Sequence, residues 1–281
     1  MQVEVVPLKR GPLRFEGITL ARPDPLGLVR GLVRLPLPQT LIVLPKRYPL
    51  PDLDLPGARA YQRGGVALAA AIGESEEFVS LRDYRPGDPL RHIHWPGTAR
   101  TGRPIVKEFQ DEFLVRHALI LDTFAGPGSG AAFEEAVSVA ASFACLIRTQ
   151  ESLLDLMFVG PQAICFTTGR GLGQAEQALE ILAAVRPCPD QPFTSLQRLV
   201  RQHSRAVSSF VCVLLDWDEP RRLLVRELRG LGLPIVVLVI AGPEAAPALH
   251  ARRGEGEPAE FHLLEVGKIT EGLQQLQNKT A

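Results

Sequence analysis

The pattern of apolar positions changes character along the chain. Over residues 1–45 the apolar residues come in short runs, VEVV, LRFEGITLAR, LGLVRGLVRLPL and TLIVLP. Prolines at 7, 12, 23, 25, 36, 38 and 45 interrupt every window long enough for a helix. The runs predict a small antiparallel β sheet or partial sandwich. Leu13, Phe15, Ile18 and Leu20 nearly alternate but slip once at Gly17, which predicts a bulge, and RPDPLGL reads as a turn between strands.

From Val115 the texture is different. VRHALILD is an apolar run ending in Asp122; a Gly-rich loop follows, and then Phe133, Ala136, Val137, Ala140, Phe143, Ala144 and Ile147 recur at helical spacing. The succession continues with LLDLMFVG and AICFTTG as strands, and AEQALEILAAV and SLQRLVRQHS as helices. AVSSFVCVLLD follows as a strand, EPRRLLVRELRGLG as a helix and LPIVVLVIAG as a strand. A Gly/Glu-rich loop, a last strand AEFHLLEV and a final helix ITEGLQQLQ complete it. Nearly continuous apolar strands between helices predict a parallel sheet covered on both faces, a doubly wound α/β domain.

Between these halves, residues 46–77 are rich in Pro, Gly and charge around an Ala-rich stretch, VALAAAIG, and read as a connector with one short helix. The predicted organisation is a β unit at 1–50, a flexible connector at 51–77, a segment at 78–112 joining two units, and the α/β domain at 113–281. No internal repeat is evident.

Composition narrows the function classes. The 281 residues carry 31 Lys+Arg against 31 Asp+Glu, so bulk attraction to a polyanion is excluded and nucleic-acid binding would need a local patch. Cys145, Cys165, Cys188 and Cys212 lack CxxC spacing and read as buried reduced thiols, which points to a reducing compartment. No run reaches the roughly 18 apolar residues of a membrane helix, and MQVEVVPLKR lacks a signal-peptide core, so a cytoplasmic location is expected.

Candidate chemistry is densest at 78–112, FVSLRDYRPGDPLRHIHWPGTARTGRPIVKEFQDE. Gly87 suits a backbone conformation that other residues avoid. Asp88 can accept a bidentate pair from Arg82, Arg91 or Arg100, and a guanidinium can stack on Tyr84 or Trp95. Such a cluster would pin the loop or present it to a partner. The basic residues from Arg82 to Lys107, interleaved with Tyr84 and Trp95, give a nucleic-acid alternative, which Asp83, Asp88 and Glu108 interrupt. His92 and His94 would share one face of a strand, yet no acidic residue completes a catalytic or metal site with them. GRGLGQ lacks the Gly-Lys-Ser/Thr ending of a phosphate loop. No catalytic constellation emerges.

The same stretch resembles the signature of the bacterial family known as domain of unknown function 58, approximately R-x-Y-x-x-G-D-x-x-R-x-I-x-W-x-x-(S/T)-A-R. Arg82, Tyr84, Gly87, Asp88, Arg91, Ile93, Trp95, Thr98, Ala99 and Arg100 match it in spacing. The resemblance implies a β region upstream and a von Willebrand factor A-like domain downstream, hence a von Willebrand factor A-like doubly wound parallel sheet with a smaller N-terminal antiparallel β unit. It also implies a non-enzymatic adaptor whose partner is a MoxR-type AAA+ ATPase. Members usually carry two membrane helices before the β region. Without them, this chain reads as a soluble member or as the portion at the cytoplasmic face of the membrane.

The von Willebrand-like resemblance raises a metal question. The metal-ion-dependent adhesion pattern Asp-x-Ser-x-Ser is replaced here by Asp122-Thr123-Phe124-Ala125-Gly126. Asp122 matches, Asp216 matches the late acid, and Thr167 or Thr168 is the candidate threonine. Phe124 and Gly126 offer no oxygen to a hard cation. The site reads as degenerate, with Mg²⁺ binding at Asp122 and Asp216 as the alternative to a metal-free interaction module.

Overall fold

The apolar runs of the second half assemble into one six-stranded sheet. The computed structural model describes residues 4–26, 28–50, 77–88, 90–110, 115–146, 152–169, 172–251 and 260–276. The strands are β5 (Val115–Leu121), β6 (Ser152–Val159), β7 (Ala163–Thr168), β8 (Ser209–Leu214), β9 (Ile235–Ala241) and β10 (Phe261–Glu265), in the order β10-β9-β8-β5-β6-β7. β10 with β9, β9 with β8 and β8 with β5 all pair in parallel. Strand order therefore reverses at β5, with β8 on one side and β6 on the other, and this is where a doubly wound sheet opens a crevice at its carboxyl ends.

Alternation divides the core between the two faces. Leu119, Leu121, Leu156, Val211, Val213, Leu238 and Ile240 point to one side, and Ala118, Ile120, Met157, Phe210, Cys212, Val237 and Val239 to the other. Each large aliphatic side chain so buried contributes about 1.5–3 kcal/mol. The first face is covered by α2 (Gly130–Leu146) and α3 (Leu172–Ala184), the second by α4 (Thr194–His203) and α5 (Glu219–Gly230).

Two details depart from the sequence reading. β7 runs antiparallel to β6 at the sheet edge, because only Gly160–Gln162 separates the two strands and a parallel return needs a crossover of a dozen residues or more. The Gly/Glu-rich loop after β9 contains a short helix, α6 (Ala246–Ala251), before β10 and the last helix, α7 (Ile269–Gln274).

The N-terminal runs form one long two-stranded ribbon, β1 (Gly11–Pro23) with β2 (Arg30–Val43), rather than a broader sheet or partial sandwich. The turn between them falls where it was read, with Asp24 N donating to Val29 O at 2.9 Å. The register slips at Gly17 as read, but the extra residue is on β2: pairing jumps from Phe15↔Gln39 to Gly17↔Pro36. Pro36 and Pro38 supply no amide to the ladder, so the slip falls where donors are missing. Gly17 is required by close approach, since a Cβ there would stand 2.4 Å from Leu35 O.

Residues 1–50 were expected to form a unit of their own, and the structure corrects this. The described residues up to Leu50 form one compact unit with those from Arg116 onward. The reason is a pair of anchors at the root of the ribbon. Arg10 donates to the carbonyls of Leu182 and Val185 at 3.0 and 2.9 Å, closing the end of α3, and pairs with Glu134 of α2 at 2.9 Å. On the other strand, Tyr48 N donates to Ser142 Oγ at 2.8 Å, and its hydroxyl donates to Glu135. Tyr48 joins the core that packs on α2, which is buried without a break from Ala136 to Ala144. Beyond these anchors Ile18, Leu20, Val33 and Leu35 share one face of the ribbon and all are exposed.

The second compact unit covers the described residues from Glu77 to Val115. β3 (Glu77–Asp83) pairs antiparallel with β4 (Ile105–Gln110), and the chain between them makes a tight turn, a 3-10 turn at Leu90–His92 and a short helix, α1 (Trp95–Thr101). The segment is a compact unit itself. The expected connector at 51–77 lies outside the described residues up to residue 76. Among the described residues no helix is long and apolar enough to cross a membrane.

Candidate functional site

Two places hold the residues singled out by sequence. In the signature unit, Arg82 at the end of β3 reaches across the turn and donates to both oxygens of Asp88, at 2.7 and 2.8 Å. The amide of Arg85 also donates to Asp88 Oδ2 at 2.8 Å. Gly87 makes the intervening turn with φ 108°, open only to a residue without a side chain. The hydrogen bonds from Arg82, followed by the Arg85 amide, hold the Asp88 carboxyl at about 2, below its ordinary 3.8.

The rest of the unit is held by short-range bonds. His94 caps α1 by accepting from Gly97 N at 3.1 Å, Thr98 Oγ1 accepts from Ile105 N at 3.0 Å, and Gly102 ends the helix with φ 68°. His94 is thereby a helix cap, and Arg91 Nε donates to His92 Nε2 at 3.2 Å. Trp95 stands 68% exposed, as does Leu90. Arg91 and Arg100 are also exposed, and Tyr84 is half-buried, its amide donating to Pro104 O.

The second place is the carboxyl end of β5 and β8. Asp122 follows β5 and is fully buried. Its Oδ1 accepts from Phe124 N at 2.9 Å and its Oδ2 from Leu215 N at 3.0 Å. Arg221, third residue of α5, donates from Nε to Asp122 Oδ2 at 2.6 Å and from Nη1 to Asp218 Oδ2 at 2.6 Å. Asp218 also caps α5 by accepting from Arg221 N at 3.2 Å. Burial works to lower the Arg221 pKa, but the charges of Asp122, Asp218 and Asp216 outweigh it and raise the pKa above its ordinary value.

The guanidinium lies 5.0 Å from the ring of Phe193, which Phe124 meets edge-on at 5.3 Å. Asp216 accepts from Trp217 N at 2.6 Å, and Trp217 itself is buried edge-on against Phe261 at 4.8 Å.

These residues do not fit a divalent cation. The carboxylate expected to share a metal with Asp216 is instead joined to Asp218 through Arg221. Thr123 turns its hydroxyl away, donating to Val159 O at 2.5 Å. The threonine candidates are at the wrong end: because β7 is antiparallel, Thr167 and Thr168 lie opposite Asp155 and Leu154, near the start of β6. Among the described residues no three His, Cys, Asp or Glu side chains are placed to hold a metal.

At that opposite end stands a polar group that the sequence reading missed. Arg116 of β5 donates to Asp155 of β6 at 2.6 and 2.8 Å, and Thr167 Oγ1 donates to Asp155 Oδ1 at 2.6 Å. Asp155 sits inside the apolar run LLDLMFVG, and a lone carboxylate in such a run is the signal that a cation must approach it. Arg221 had a signal too, as a cation in the first turn of a helix, where the dipole disfavours it. The cysteines are free, but only Cys212 is fully buried; the other three are partly exposed.

The fold is a doubly wound, mostly parallel sheet with an antiparallel two-stranded ribbon near the N-terminus. Residues 80–229, more than half the chain, match the family described as "Protein of unknown function DUF58", and the chain belongs to that family. It is 28% identical over 187 residues to "Uncharacterized protein YeaD" of Bacillus subtilis (strain 168), covering 65% of this chain and 45% of that one. The chain thus spans less than half the length of this curated relative.

Among solved structures, it is similar to manganese-loaded TRAP protein of Plasmodium vivax, with TM-score 0.39 and 11% identity over 59% of this chain and 74% of that one. It is also similar to the SpRpn10 VWA domain, with TM-score 0.33 and 14% identity over 59% of this chain and 95% of that one.

Proposed function

We propose that the chain is a non-catalytic protein-interaction module, and that the helical insertion between β3 and β4 is its contact surface. One observation carries this reading. Arg82, Asp88 and Gly87 fix the turn, while Trp95 and Leu90 are held out at 68% exposure each, with Arg91 and Arg100 exposed near them in sequence. Tryptophan and arginine are the residue types that most often dominate binding energy at protein interfaces. A surface of that composition on a rigid support suits a protein partner. The nucleic-acid alternative has less support, because Arg82 is already neutralised by Asp88.

The partner class implied by the family resemblance is a MoxR-type AAA+ ATPase. The test is capture of such an ATPase, with and without nucleotide, by the wild-type chain and by Trp95→Ala. The reading expects binding in at least one nucleotide state and a loss of about tenfold or more in Trp95→Ala. Equal binding by the variant would remove the proposed surface, and no binding by folded wild type in either state would remove the partner.

A further inference from the structure

We propose that Arg221 is a built-in cation at the carboxyl end of the sheet, standing where the adhesion pattern would call for a divalent metal and making this crevice permanently metal-independent. Asp122 is the residue that needs this cation. A carboxylate fully buried at the end of β5 cannot remain charged without compensation. Two backbone amides help, and Arg221 supplies the full positive charge through a 2.6 Å bond. Its second arm takes Asp218 at 2.6 Å, so one guanidinium ties the end of β5 to the cap of α5.

The departures from the metal pattern are then one replacement with several parts. Phe124 stands where a serine ligand is expected, and it packs on Phe193, whose ring lies 5.0 Å from the guanidinium. Thr123 is turned back to Val159. A planar guanidinium has fixed donor directions and no exchangeable coordination position, so a ligand carboxylate cannot complete it as it could complete a metal's shell. The position of Arg221 is otherwise unfavourable. A cation in the first turn opposes the helix dipole, and Asp122 and Asp218 account for its presence there.

Thermal melting with a double-mutant cycle tests this. Wild type is expected to melt at the same temperature in millimolar Mg²⁺, millimolar Mn²⁺ or chelator. Arg221→Ala is expected to melt on the order of 10 °C lower, because it strands the Asp122 charge. Adding Asp122→Asn to that variant is expected to recover about half of the loss, since a neutral amide needs no counter-ion. Arg221→Lys, which keeps the charge, is expected to melt above Arg221→Ala and to ignore metal. If Arg221→Ala does not fold, Arg221→Lys and Arg221→Ala with Asp122→Asn carry the comparison. Stabilisation of wild type by either metal would overturn the proposal. So would a double variant no more stable than Arg221→Ala.

Discussion

Arg116 and Asp155 meet side by side at the start of β5 and β6, in a bidentate pair of 2.6 and 2.8 Å with the carboxylate wholly buried. With Arg221 and Asp122 at the other end, an arginine holds a buried aspartate at each end of the sheet's centre. Breaking a buried pair leaves one charge uncompensated. Asp155→Ala should therefore destabilise the α/β unit by about 3–5 kcal/mol, read from denaturant midpoints, and a loss below about 1 kcal/mol would show that Arg116 finds water instead.

Asp88 gives a pH signature in the other unit. Its folded pKa is about 2 against an ordinary 3.8. Its contribution is present above the ordinary value and is lost as pH falls through about 2. An NMR titration should find the Asp88 midpoint near 2 in wild type and closer to 3.8 in Arg82→Gln; identical midpoints would separate the two residues energetically.

His117 of β5 works in a different window. Burial pushes its imidazole down to about 4 from 6.5, and its Nδ1 lies 2.7 Å from Ser209 Oγ. The unfolded chain takes up the proton first, so this contribution is full above pH 6.5 and is lost as pH falls from 6.5 towards 4, by about 3 kcal/mol. His117→Gln should flatten the pH dependence of stability in that interval, and an unchanged slope would assign it to other groups.

Gly17 offers a test of the ribbon. A Cβ 2.4 Å from Leu35 O forces the strands apart, so Gly17→Ala should cost about 1–3 kcal/mol and speed amide exchange along β1 and β2. Unchanged exchange would mean that the bulge can open without loss.

Trp95→Ala should leave stability within about 0.5 kcal/mol of wild type, because the ring is 68% exposed. A clear drop in melting temperature would show that the ring packs in solution and that its loss of binding is indirect.

The sequence alone determined what local patterning controls. Continuous apolar runs and helical spacing placed the elements of the α/β half, Gly17 marked the ribbon's slip, and Gly87 and Asp88 marked the pinned turn, since each depends on neighbours within a few residues. Tertiary structure decided the long-range pairings. Arg221 and Asp122 are 99 residues apart and Arg10 lies 175 residues from Val185. No periodicity encodes which buried carboxylate a distant arginine will meet, because that is set by how strand ends and helix starts converge. The same limit hid the place of the N-terminal ribbon. Its own sequence specifies strands, while its membership of the α/β unit rests on Arg10 and Tyr48 meeting helices that the chain supplies much later.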